Sequence, residues 1–305
     1  MPGTPDSTPV RNVLFIMCDQ LRWDYLSCYG HPVLQTPAID ELARRGVRFD
    51  RAYVQSPVCV PSRMSFYTGR YMGSHGTTWN HVPFPAGEVT LGDHLARAGR
   101  DAVLAGKTHV IPDVASLERL GLPRDTREAR LRLDGGFGEL DRYDGHAPPG
   151  RESGYADYLR SHGYDARDPW TEYVIGADDP DGPAGSRANG WLLRHAHLPA
   201  RVAEAHSETA YMTDRALAYI EAQGDRPWVL HLSYIKPHWP LMAPAPYHAM
   251  YRGADTGPIL RADPRTENAH PVLQAYRLAH DDCRSYGQEA VVRHVRPTYM
   301  GLVKQ

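Results

Sequence analysis

An α/β fold with a mostly parallel central sheet flanked by helices is predicted by three observations. Residues 12–17 (NVLFIM) and 228–234 (WVLHLSY) are short apolar runs that do not alternate with polar residues. Runs of that kind suit strands buried on both faces of a parallel sheet. Helix start and stop signals stand between them, so strand and helix alternate along the chain.

Residues 12–17 are the first strand. Thr36 is placed to cap a helix, Pro37 suits its first turn and Gly46 ends it. Residues 47–54 read as a second strand. Pro61 starts a helix that ends near Gly69. Thr90 caps another, which runs through Leu91, His94 and Leu95 to Gly99. Residues 102–105 form a short strand. Ser207 caps a helix through Tyr211, Leu217 and Ile220 that ends near Gly224, and residues 228–234 form the last strand. Residues 111–200 are rich in Gly, Pro, Asp and Arg and carry no sustained period. They read as an irregular excursion within one α/β domain over 1–305, covering the sheet, shaping a pocket entrance or making an oligomer contact.

A chain of 305 residues can bury a large core, and 42% hydrophobic with 23% charged residues describes a globular protein. The formal net charge of −2 gives no general attraction to nucleic acid. The first eleven residues are polar and proline-rich, and the apolar run 13–18 is too short for a signal core or a membrane span. The expectation is a cytoplasmic protein with no membrane partner. Four cysteines, Cys18, Cys28, Cys59 and Cys283, show no C-x-x-C spacing and so no disulfide framework or zinc site.

Polar residues follow three of the expected strands. Asp19 comes after the first, Lys107 and His109 after 102–105, and His238 after 228–234. Open α/β sheets bind ligands outside the carboxyl ends of their strands. Taken singly, a post-strand Asp is more often a turn or cap residue, and a lone His is more often structural.

The segment Cys59-Val60-Pro61-Ser62-Arg63, running on to Thr68-Gly69-Arg70, resembles the sulfatase signature C-x-P-S-R followed by T-G-R. Gly106-Lys107-Thr108-His109 resembles the same family's G-K-x-H, and Lys236-Pro237-His238-Trp239-Pro240 its P-H-x-P segment. The chain thus resembles sulfatases of the alkaline phosphatase superfamily, closest to phosphonate monoester hydrolases and choline-sulfatase-like enzymes.

The resemblance implies that a maturation enzyme oxidises Cys59 to Cα-formylglycine, whose hydrate is the nucleophile. It implies one divalent metal, Ca²⁺ or Mn²⁺ with Mg²⁺ as a third option, held by Asp19, Gln20 and residue 59, since hard cations take oxygen ligands. Lys107 would contact the ester oxyanion, His109 would lie beside the nucleophile, and His238 would protonate the leaving group. Asn80 matches an asparagine that contacts substrate. Arg63, four residues after Cys59, would lie one helical turn along the same face, able to hold the nucleophile. The substrate would be a small anionic sulfate or phosphonate ester.

The pattern breaks at one point. The family completes its metal site with an Asp-His or Asn-His pair near the carboxyl end, followed by a lysine, and this chain has neither. His280-Asp281-Asp282 reads as a solvated face. The expectation is therefore an amino-terminal part of a longer enzyme, with a possible homo-oligomer left open. A non-catalytic fragment that keeps Cys59 as a thiol is the competing reading. A nucleotide-binding domain is disfavoured, because Cys18-Asp19-Gln20-Leu21 stands where a glycine-rich phosphate loop would.

Overall fold

The computed structural model describes residues 10–145, 153–261 and 270–305, with the side chains of Asp281 and Asp282 outside that description. In chain order its principal elements are β1 (Val13–Cys18), α1 (Pro37–Arg45), α2 (Cys59–Thr68), α3 (Leu91–Arg97), β2 (Ala102–Gly106), β3 (Gly138–Arg142), α4 (Glu208–Gln223), β4 (Val229–Tyr234) and α5 (Glu289–Lys304). The chain divides into two compact units. One holds residues 1–19, 49–155 and 209–235; the other holds 20–48, 156–208 and 236–305.

The first unit carries the sheet. Its strands lie in the order β1-β4-β2-β3 and every pairing is parallel. Val13 pairs with Val229 and Cys18 with Tyr234, while Ala102 and Gly106 pair with Val229 and Ser233. β4 is thus internal and its first five residues are buried. The expected burial of the first strand on both faces is not what the structure shows. Among the described residues β1 pairs only with β4, and Val13, Leu14 and Ile16 stay exposed. A continuous apolar run reports hydrophobic content, not how many neighbours a strand has.

Two strand expectations also change. Residues 47–54 form no strand, and Val47, Phe49, Tyr53 and Val54 are exposed. Their apolar residues alternate with Arg48, Asp50 and Arg51, which mimics a strand period, but pleated pairing depends on neighbours more than on pattern. β3 was not expected, because its sequence GELDR is mostly charged. It joins β2 with a register shift between Leu104 and Ala105.

Helix signals translate more directly. α3 opens on a reciprocal capping box: the Thr90 side chain accepts from the Asp93 N–H, and the Asp93 carboxylate accepts from the Thr90 N–H. α2 begins at Cys59 rather than at Pro61. Pro61 lies within the first turn, where its missing N–H costs no hydrogen bond. Gly69 ends the helix in the left-handed conformation, with φ 65°. α2 turns Val60, Met64 and Tyr67 into a core with Phe84, Leu104, Val110, Phe137 and Val229. Phe66 stacks on Phe15 of β1 at 4.6 Å between ring centroids.

In the second unit, α5 packs Val295, Tyr299 and Met300 against Tyr25, Leu34, Leu193 and Leu241. Thr36 precedes α1 without bonding its amides; its hydroxyl instead pairs with Ser27 at 2.8 Å. The segment expected to be an irregular excursion divides at Tyr155. Its first part supplies β3 to the first unit, and its second part supplies a hairpin, Gly176–Asp178 with Arg187–Asn189, to the second. Among the described residues no helix is long and apolar enough to cross a membrane.

Candidate active site

The site grows from the carboxyl ends of the first unit's strands. The chain leaves β1 with the Asp19 N–H bonded to the Tyr234 carbonyl at 3.1 Å, and leaves β2 with the Lys107 N–H bonded to the Ser233 carbonyl at 3.0 Å. Gly106 makes the second exit possible. It has φ 104°, and a Cβ there would lie 2.0 Å from the Ser233 oxygen. The glycine of Gly106-Lys107-Thr108-His109 is therefore required by backbone contact.

These exits bring Asp19, Lys107, Arg63 and Cys59 together. The Lys107 Nζ lies 2.6 Å from Asp19 Oδ2, and Lys107 is fully buried. The Arg63 Nη2 reaches the same oxygen at 3.2 Å. Arg63 Nη1 donates to the Lys107 carbonyl at 2.7 Å and to Ser233 Oγ at 2.9 Å, so the guanidinium is fixed at both ends. Cys59 Sγ lies 3.9 Å from Asp19 Oδ1. One carboxylate thus serves two buried cations, which leaves the cluster with a net positive charge beside residue 59.

Residue 59 as a thiol is a poor nucleophile here. Burial pushes its pKa up and Asp19 adds to the rise, against smaller opposing effects of Lys107 and Arg63. At neutral pH it is protonated, and the thiolate is the reactive form. The helix start itself is pinned by Asn80, whose side-chain oxygen accepts from the Val60 N–H at 3.0 Å. Asn80 thus acts in this structure on the amide next to Cys59.

His109 stands half-buried in a left-handed conformation, with φ 56°. Its N–H and that of Thr108 both donate to Asp144 Oδ1, at 2.9 and 3.0 Å. Gln20 and His238 belong to the second unit. Gln20 also has a positive φ, 59°, and Tyr299 holds it by donating to its carbonyl at 2.7 Å. Its side-chain oxygen accepts from the Trp239 N–H at 3.3 Å. The His238 Nδ1 bonds the Trp239 carbonyl.

The sequence reading missed four residues that frame the site. Asp144 holds the His109 amide, Ser233 holds Arg63, and Tyr67 and His231 bond to each other at 3.1 Å behind Arg63. His231 Nδ1 faces the Phe15 carbonyl, so it carries the proton and Nε2 accepts from Tyr67. Burial lowers the His231 pKa to about 4, which keeps it neutral. None of the four carries a sequence motif, and Asp144 follows a strand that the sequence does not announce.

Among the described residues of this unit, two donors for a divalent cation stand together. They are Asp19 and residue 59, and Asp19 already carries Lys107 and Arg63 on one oxygen. Hard cations take six or more oxygens. Asp19 and residue 59 are by themselves too few donors for a tightly held cation, and the net positive charge of the cluster they form with Lys107 and Arg63 favours an anion.

A parallel α/β sheet with a buried cationic cluster at its carboxyl edge is the class of site this unit presents. The family model described as Sulfatase matches residues 11–304, and the chain belongs to the sulfatase family. It is 30% identical over 97% of its length to the multifunctional alkaline phosphatase superfamily protein PehA of Trinickia caryophylli, covering 57% of that protein. It is 27% identical to an arylsulfatase of Clostridium perfringens over 83% of its length, covering 48% of that enzyme. Among solved structures, it resembles the phosphonate monoester hydrolase of Silicibacter pomeroyi with a TM-score of 0.76, 26% identity and coverage of 96% of this chain and 56% of that one. The phosphonate monoester hydrolase of Agrobacterium radiobacter matches with a TM-score of 0.72 and 25% identity, with the same coverage. The chain spans about half the length of the curated relatives it matches.

Proposed function

We propose that this chain provides the nucleophile-bearing part of a hydrolase for sulfate monoesters, phosphonate monoesters or phosphodiesters. The observation that carries the reading is the buried cluster of Lys107 and Arg63 on one carboxylate, set beside residue 59. Such esters are anions that repel an incoming oxygen nucleophile, and a fixed positive field removes that obstacle.

Residue 59 acts after conversion to Cα-formylglycine by a maturation enzyme; one hydroxyl of its hydrate loses its proton to solvent and attacks sulfur or phosphorus as the ester's alcohol leaves, and deprotonation of the second breaks the new carbon–oxygen link, restoring the aldehyde and expelling the transferred group. The chain's own residues do the rest. Lys107 and Arg63 supply the positive field that draws the ester oxygens toward residue 59, and both are buried, so that field is little screened by water. Arg63 cannot drift, because Ser233 and the Lys107 carbonyl hold it. His109 takes the proton from the second hydroxyl, and His238 gives a proton to the departing alcohol oxygen. No step is assigned to the metal that the family resemblance implies, because Asp19 and residue 59 alone do not hold one.

The relatives favour this substrate range: PehA is a multifunctional member of the alkaline phosphatase superfamily, and an arylsulfatase and phosphonate monoester hydrolases stand beside it. A second reading has one observation on its side. As an unmodified, protonated thiol, residue 59 would leave a protein that binds anionic esters without turning them over. Mass spectrometry of the tryptic peptide 52–63 from the native host separates the two. A residue 59 lighter than cysteine, with hydrolysis of an aryl sulfate or phenyl phosphonate ester by the same preparation, is the expected result. Unmodified cysteine in the native protein contradicts the hydrolase reading.

A further inference from the structure

We propose that Asp144, gripped by Arg142, is a positioning residue that holds the Lys107–His109 loop in its working shape; this rests on the hydrolase reading above. Asp144 Oδ1 accepts from two consecutive amides, Thr108 at 3.0 Å and His109 at 2.9 Å. Its other oxygen, Oδ2, takes Arg142 Nε at 2.9 Å and Nη2 at 2.8 Å. Arg142 in turn bonds Asp134 Oδ1 at 2.5 Å and the Val110 carbonyl at 3.2 Å. The loop is therefore tied at 108, 109 and 110 to one ion-paired group at the end of β3.

The arrangement fits a loop that would otherwise relax. Gly106 leaves β2 at φ 104° and His109 sits at φ 56°, a conformation disfavoured for a residue with a β-carbon. Between them Lys107 projects to Asp19. Two backbone amides aimed at one carboxylate offset the unfavourable turn and fix both side chains that the loop carries. Burial alone would raise the Asp144 pKa, but Arg142 and the His109 N–H outweigh it and hold the carboxyl below the usual range. The anchor therefore stays charged at neutral pH.

The sequence gives the device no motif. Asp144 lies 36 residues from Thr108 in the chain and reaches it because β3 pairs with β2, with Tyr143 N–H bonding the Gly106 carbonyl at 3.0 Å. Asp134 and Arg142 were part of the stretch that carried no period.

Amide hydrogen exchange of the full chain, with and without Asp144→Ala, tests the clamp without requiring activity. Amides 107–110 are expected to exchange about tenfold to a hundredfold faster in Asp144→Ala, while β4 amides keep their wild-type rates. In parallel, kcat on the best ester should fall at least about tenfold with a small change in KM, since Lys107 and His109 act on the reacting group. Should Asp144→Ala fail to fold, Asp144→Asn, which retains an acceptor oxygen, should show the same local pattern in weaker form. Unchanged exchange at 107–110, or acceleration spread evenly over the sheet, overturns the proposal. If the protein carrying this chain, purified from its native host, hydrolyses no ester, the hydrolase reading fails, and the exchange rates still judge the clamp.

Discussion

Each unit buries a lysine against a carboxylate, and the two pairs are built differently. In the second unit Lys236 meets Glu208 at 3.1 Å, one cation to one anion. Trp170 Nε1 donates to the other glutamate oxygen, and Lys236 donates to the Pro240 carbonyl. That pair is neutral and closed. In the first unit Lys107 and Arg63 share Asp19, and residue 59 lies against the same carboxylate. Burying an excess charge is costly, so a fold that does so without need would be selected against its own stability. The surplus positive charge is what separates a site prepared for an anion from a strut.

The largest effect expected is on chemistry. Cys59→Ala should reduce ester hydrolysis by at least about a thousandfold, with a thermal unfolding midpoint close to wild type. Steady-state kinetics with calorimetry on the same sample checks both halves.

The lysine pairs can be set against each other next. Lys236→Met should cost about 3–5 kcal/mol of stability, because Glu208 is left charged and buried. Lys107→Met should cost less, about 1–2 kcal/mol, because Arg63 still holds Asp19, while activity collapses. Urea unfolding of both variants decides it, and equal destabilisation would erase the contrast.

Acid should expose the group behind Arg63. His231 has a folded pKa of about 4 against an ordinary 6.5, so below pH 6.5 the unfolded chain binds a proton that the folded chain refuses. Its contribution is present above pH 6.5 and is lost as pH falls toward 4, roughly 3 kcal/mol in all. The pH dependence of urea unfolding should flatten over that window in His231→Leu. Inorganic sulfate should give the smallest effect, a rise of a few degrees in the wild-type midpoint at concentrations well above its Kd.

How far the sequence revealed this depends on whether the physics is local. The capping box at Thr90 and Asp93, the glycine stops at Gly69 and Gly224, and the buried strand β4 follow from neighbouring residues, and the structure has them. Asp19 stands out in the sequence as a post-strand acid, and Lys107 and Arg63 as members of short contiguous motifs. β3 was not, since GELDR joins the sheet through backbone bonds that its side chains do not advertise. Ser233 meets Arg63 across 170 positions and His231 meets Tyr67 across 164, distances over which no spacing rule operates. Residues 47–54 failed the other way, a strand-like pattern with no ladder to join.

The most direct measurement is calorimetric titration with inorganic sulfate of the wild type, Lys107→Met and Lys236→Met. The account predicts one sulfate site in the wild type, weakened at least about tenfold in Lys107→Met and kept in any folded Lys236→Met. Sulfate binding that survives Lys107→Met unchanged would contradict the claim that the buried surplus of charge beside residue 59 is the anion site.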